Sequence, residues 1–134
     1  MATTNLCPAF AYTVVYVKDV AKSLDFYEKA FGYHMGKLDS GQTTIAFTPI
    51  HQRETDKRSG AVQTPQTDGE RPPLEVCFAY ADVDAAYKRA VENGAVALSQ
   101  PEDKEWGQRV GYVRDIDGIV VRMGSYVTKP AKQD

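Results

Sequence analysis

One pattern occurs twice along the chain and limits the folds open to it more than any other feature. Val14-Val-Tyr-Val-Lys-Asp19 runs into Val20-Ala-Lys-Ser-Leu-Asp-Phe-Tyr-Glu-Lys-Ala-Phe-Gly32, and about sixty residues later Val76-Cys-Phe-Ala-Tyr-Ala-Asp82 runs into Val83-Asp-Ala-Ala-Tyr-Lys-Arg-Ala-Val-Glu-Asn-Gly94. Each copy reads as an apolar strand, an acidic helix cap, one amphipathic helix and a closing glycine. Two copies are too few for a solenoid. They predict a pseudo-symmetric single domain with a cavity between its halves.

The 134 residues suffice for one domain with a sizeable core. A formal net charge of −2 argues against a nucleic-acid partner, which would want a basic face. No apolar run approaches the roughly 20 residues that span a bilayer, so membrane insertion is not expected. The start, Met-Ala-Thr-Thr-Asn-Leu-Cys-Pro, lacks the layout of a signal peptide. Two cysteines, Cys7 and Cys77, make no disulfide framework and fit a reducing compartment. These features predict a cytoplasmic protein.

Residues 10–18 read as a half-buried strand, and Asp19 as the N-cap of a helix with an apolar stripe of Val20, Leu24, Tyr27 and Phe31. Residues 42–48 form a second strand, with Ile45 and Phe47 on one side and Thr44, Ala46 and Thr48 on the other. The polar stretch 51–73 carries Gly60, Pro65, Gly69, Pro72 and Pro73 and reads as a linker. A strand over 74–80 follows, then a helix capped by Asp82 with a stripe of Val83, Ala86, Ala90 and Val91. Three strands are expected near 95–100, 108–114 and 119–124, the last two joined at Asp115-Ile-Asp-Gly118. The second half is thus β-α-β-β-β. The domain spans 1–134, with unit one about 9–50 and unit two about 74–125.

Val17-Lys-Asp19, Phe26-Tyr27, Phe31-Gly32 and Tyr112-Val-Arg-Asp-Ile-Asp-Gly118, in this order and spacing, resemble the vicinal oxygen chelate superfamily. That group includes glyoxalase I, the bleomycin-resistance proteins and the fosfomycin-resistance enzymes. Within it the chain looks most like plant single-domain glyoxalase-I-like proteins. The resemblance implies an α+β fold of two β-α-β-β-β units whose eight strands form curved sheets around a ligand cup, and a homodimer. Only eight residues separate Gly32 from Gly41, so the first unit looks shortened by most of a hairpin. That shortening is either a harmless edge deletion or an opening of the cup to a bulkier ligand.

The family's four metal-ligand positions correspond to Tyr12, Ala46, Glu75 and Arg122. Metals want at least three N, O or S ligands and Arg is never one, so no metal or other cofactor is expected. If those positions face inward, then Tyr12, Val14, Tyr16, Thr44, Ala46, Thr48, Glu75, Cys77, Ala79, Val120 and Arg122 do too. The resemblance places Tyr112 inside as well.

Glu75 with Arg122 is either an ion pair left after metal loss or a base with an orienting cation. Tyr12 and Tyr112 are candidate hydroxyl donors to a substrate oxygen. Tyr16, His34, Thr44, Ala46, Thr48, Cys77 and Val120 are candidate substrate contacts. Cys77 has no obvious His partner for nucleophilic work. His34 and His51 read as surface or loop residues, and His34 borders the shortened wall. Trp106 reads as a loop plug, and Glu102-Asp-Lys-Glu105 as solvated charge.

The resemblance implies a metal- and glutathione-independent isomerase- or lyase-type enzyme acting by enolisation on a small apolar terpenoid or phenolic substrate. A plant aromatase of that kind acts on a hydroxy-keto cadinene in gossypol-type sesquiterpenoid biosynthesis. The alternatives are a sequestering protein of the bleomycin-resistance type, a structural or stress-linked role, and, disfavoured, a metal-dependent lactoylglutathione lyase.

Overall fold

Asp19 and Asp82 set the two helices. Each sits in extended backbone and accepts from the amide three residues on, Asp19 from Lys22 N at 3.1 Å and Asp82 from Ala85 N at 3.0 Å. A computed structural model describes residues 12–34, 44–50 and 71–126. The elements run β1 (Tyr12–Val17), α1 (Val20–Phe26) with a π-helical turn over Tyr27–Phe31, β2 (Thr44–Pro49), β3 (Val76–Ala79), α2 (Val83–Glu92), β4 (Val96–Asp103), β5 (Arg109–Arg114) and β6 (Val120–Gly124). The architecture is α+β with two sheets and no closed barrel among the described residues.

The repeat reappears as topology. β1 and β2 pair in parallel, and so do β3 and β6, so in each half the last strand returns beside the first. The second half completes the unit in the order β3-β6-β5-β4, with β5 antiparallel to both neighbours. Six strands are described. The shortened wall falls within residues 35–43, and most of the linker within 51–70, both outside the described residues. No described helix is long and apolar enough to cross a membrane.

Strand parity sorts the core as the alternation predicts. Val15, Val17, Ile45, Val113, Val121 and Met123 are buried, with Phe47, Val76 and Phe78 packed against them. The helical stripes need correction. α1 and its π turn bury Ser23, Phe26, Tyr27, Ala30 and Phe31, while Leu24 is only half-buried. In α2 Tyr87 is buried and Val91 is 39% exposed. Gly32 ends the first helix at φ 75°, where a Cβ would lie 2.7 Å from Arg89 Nη2.

An aromatic seam joins the halves. Tyr27 lies 4.9 Å from Phe47 and 6.2 Å from Phe78 by ring centroids, and Phe31 lies 5.5 Å from Phe78. Such pairs add about 0.5–1.5 kcal/mol each beyond their buried area. The Tyr80 hydroxyl donates to Phe31 O at 2.7 Å.

Beside the seam, the Asp115–Gly118 turn clasps the first helix. Tyr27 Oη donates to Asp115 Oδ2 at 2.6 Å, Ser23 Oγ to Asp117 Oδ2 at 3.4 Å, and Lys18 N to Asp117 Oδ1 at 3.2 Å. The other Asp115 oxygen accepts from Asp117 N and Ile119 N at 2.8 and 2.9 Å, closing a turn that Gly118 completes at φ 88°. The motif expected to serve as a hairpin turn therefore also locks one half to the other.

Candidate functional site

Pro72 and Pro73 have no amide hydrogen to give a ladder, so β3 starts only at Val76 and Glu75 stands just ahead of it. Val76 and Phe78 turn to the core, which leaves Glu75, Cys77 and Ala79 on the other face. On β6, Val121 and Met123 are fully buried and Arg122 points the other way. Register then sets a row across the sheet, with Cys77 beside Arg122, Arg122 opposite Tyr112, and Tyr112 opposite Ser99.

Side chains converge along that row. Arg122 Nε donates to Glu75 Oε1 at 3.2 Å, and its guanidinium carbon lies 5.5 Å from the centre of the Tyr112 ring. Arg71 donates to Glu75 Oε2, so both carboxylate oxygens are engaged. Glu75 is 18% exposed, Arg122 35% and Arg71 51%. Two guanidiniums face one carboxylate, so the cluster carries one surplus positive charge.

Partial burial raises the Cys77 thiol above its ordinary value, Arg122 opposes that rise and Glu75 adds to it. A thiol shifted upward is a poor nucleophile at neutral pH. The cluster opens onto a depression of about 490 Å³ walled by Arg71, Pro72, Pro73, Leu74, Glu75 and Cys77. A second depression of similar size lies between α2 and β4, where Arg109 Nε bonds Asp84 at 3.1 Å.

The donor set does not fit a metal. Ala46 offers no donor, Arg122 brings a fixed positive charge, and both Glu75 oxygens are taken by guanidiniums. Among the described residues no three His, Cys, Asp or Glu side chains are grouped to hold a cation.

The other candidates are scattered. Tyr12 lies on β1, 57% exposed, with Val14 at 40% and Tyr16 half-buried on the same face. Thr44 opens β2 in register with Tyr12, and Ala46 and Thr48 are half-buried along it. Val120 shares the Arg122 face by alternation, yet it is 1% exposed and so is interior packing, not a ligand surface. His34 is exposed and its Nδ1 lies 3.4 Å from Glu28 Oε2 on the first helix. His51 lies outside the described residues. Trp106 is 63% exposed with its indole N–H on Gln108 Oε1, so it does not plug the loop. In the run 102–105, Glu102, Asp103 and Glu105 are exposed, but Asp103 and Glu102 also make ion pairs with Arg109 and Lys104.

Arg71 was missed because it sits in the stretch read as linker. A cation four residues before a carboxylate, with Pro-Pro between, was the available signal.

The model of the Glyoxalase/Bleomycin resistance protein/Dioxygenase superfamily matches residues 9–123. An uncharacterised Mycobacterium tuberculosis protein is 29% identical over 120 residues, spanning 83% of this chain and 70% of the relative. A Mycobacterium bovis counterpart is also 29% identical, with 78% of its length covered. Among solved structures, a glyoxalase-related enzyme from Fulvimarina pelagi superposes with a TM-score of 0.71 over 96% of this chain and 95% of that one, at 17% identity. A protein of unknown function from Agrobacterium tumefaciens gives 0.68 over 90% and 95%, at 25% identity. With a paired-unit fold and a family match along most of its length, the chain belongs to the glyoxalase/bleomycin resistance protein/dioxygenase superfamily.

Proposed function

We propose that the chain is a metal-independent enzyme that enolises a small apolar hydroxy-ketone, with Glu75 as base and Arg122 and Tyr112 at the substrate oxygen. The observation that carries this reading is the Glu75–Arg122 contact at 3.2 Å beside the Tyr112 ring on the partly open sheet face. Glu75 takes the C–H proton next to the carbonyl. The electron pair moves onto oxygen, where a guanidinium and a phenol can stabilise it. Tyr112 is preferred to Tyr12 because it shares the Arg122 row.

The resemblance to plant glyoxalase-I-like proteins supports a hydroxy-keto cadinene of gossypol-type biosynthesis as the first substrate to assay. A hydroxy-ketone ring with two further double bonds is a tautomer of a catechol. Proton shifts alone aromatise it, with no oxidant and no loss of electrons. Glu75→Gln and Arg122→Ala should each lower turnover at least about a hundredfold while the circular dichroism spectrum is unchanged. Near-normal turnover in both variants would remove the assignment.

Sequestration without chemistry is the second reading, favoured because both Glu75 oxygens are engaged in the ligand-free protein. Mass analysis of incubated hydroxy-ketones separates the two, since a sequestering protein returns its ligand unchanged. Homodimerisation belongs to this proposal too, and light scattering tests it.

A further inference from the structure

Arg71 has no task in the reaction proposed above, yet it holds one of the two oxygens of the proposed base. The two guanidiniums on Glu75 are unequal. Arg122 grows from β6 between the fully buried Val121 and Met123, and it lies over the Tyr112 ring. Arg71 precedes β3, belongs to no helix or strand, and is 51% exposed. Exposed ion pairs are worth little, so Arg71 is the arm that can let go. While both arms hold, each carboxylate oxygen has one lone pair committed to a guanidinium.

The surplus positive charge says what would release it. A guanidinium fork binds a planar pair of oxygens in two parallel hydrogen bonds, and it does so best when they carry negative charge. Leu74, 71% exposed, with Pro72 and Pro73, gives the depression an apolar wall beside that fork. We infer that the site selects a flat apolar ligand bearing an oxyanion, either a carboxylate or an enolate, and that Arg71 transfers from Glu75 to this group. This deepens the proposed reaction, where the oxyanion is the enolate that forms as Glu75 takes the C–H proton, and that link rests on Glu75 as the base. The anion preference does not.

The test titrates the full chain by calorimetry and by NMR of the arginine Nε–H signals. The probes are cinnamate, its neutral analogue cinnamamide, and tropolone at a pH where it is a planar enolate. At least one of the two anions should bind about tenfold or more tighter than cinnamamide, with the Arg71 signal shifting on binding. Tight cinnamate alone assigns a carboxylate ligand. Tight tropolone, with or without cinnamate, assigns an enolate. Arg71→Ala should erase the preference and Arg71→Glu should reverse it, each with an unchanged urea midpoint.

Glu75→Gln removes the competing carboxylate, so it should bind the preferred anion severalfold tighter while turnover is lost. That opposite movement separates this inference from the catalytic reading. If neither anion outbinds the amide, or if the preference survives in Arg71→Ala, the inference is wrong.

Discussion

Asp115 and Asp117 are 3% and 4% exposed and their oxygens are met by Tyr27, Ser23 and backbone amides, all supplied by the fold itself. Glu75, 18% exposed, is met instead by two arginines with charge to spare. Both groups use carboxylates next to a phenol, but they answer different needs. Burial pushes the Tyr27 hydroxyl well above its ordinary value, with Asp115 adding to the rise, and burial likewise raises the Asp115 carboxyl. Ionisation of either group in the clasp is made costly, so Asp115 takes up a proton more readily than a free carboxyl does. The Glu75 cluster keeps partial exposure and a surplus cation, which is what the proposed function asks of a place that exchanges partners.

The comparison breaks most readily at Asp115. Asp115→Ala leaves the buried Tyr27 hydroxyl, the buried Asp117 amide and the half-buried Ile119 amide without acceptors, so it should cost about 3 kcal/mol or more in urea unfolding. Tyr27→Phe removes one of those bonds and should cost about 1–2 kcal/mol. Glu75→Gln should change stability by less than about 1 kcal/mol, since its partners reach solvent. A loss as large as that of Asp115→Ala would make the Glu75 cluster a second joint.

The smallest effect concerns pH. The folded Asp115 carboxyl is raised above 3.8, so its relative stabilisation is fully present below that unfolded value and lost as pH rises through the folded one. Wild type should therefore gain stability relative to Asp115→Asn as pH falls from about 7 to about 4, read as the difference in urea midpoints. A constant difference would mean that Asp115 ionises in the fold as readily as in the open chain.

What was legible in the sequence was local. The caps at Asp19 and Asp82, the alternation around Val15, Phe78 and Met123, and the Asp-Gly turn each depend on neighbours a few residues away. The Glu75–Arg122 contact, 47 residues apart, came from the family resemblance, which puts both at metal-ligand positions. Phe26 and Tyr87 each sit one residue from a position the stripes included, and spacing alone did not place the centre of the buried face. The Tyr27–Asp115 bond spans 88 residues between different units, and no periodicity encodes it. Arg71 depends on how an irregular stretch approaches β3, which composition cannot state.

The clasp also sets an order of events during synthesis. Its three ties to the first half, from Lys18, Ser23 and Tyr27, reach 99, 94 and 88 residues forward. An isolated pair such as β1 with β2 is marginal in water. As the chain leaves the ribosome, Tyr27 can meet Phe47 early and Phe31 can meet Phe78 soon after, but the Tyr27 and Ser23 hydroxyls must wait for nearly the whole second half before their acceptors exist. Non-local contacts of this kind slow folding, and waiting aromatic surface invites aggregation. A chain stopped before Asp115 would emerge with its first helix formed in sequence but unanchored in space, a natural client for chaperones.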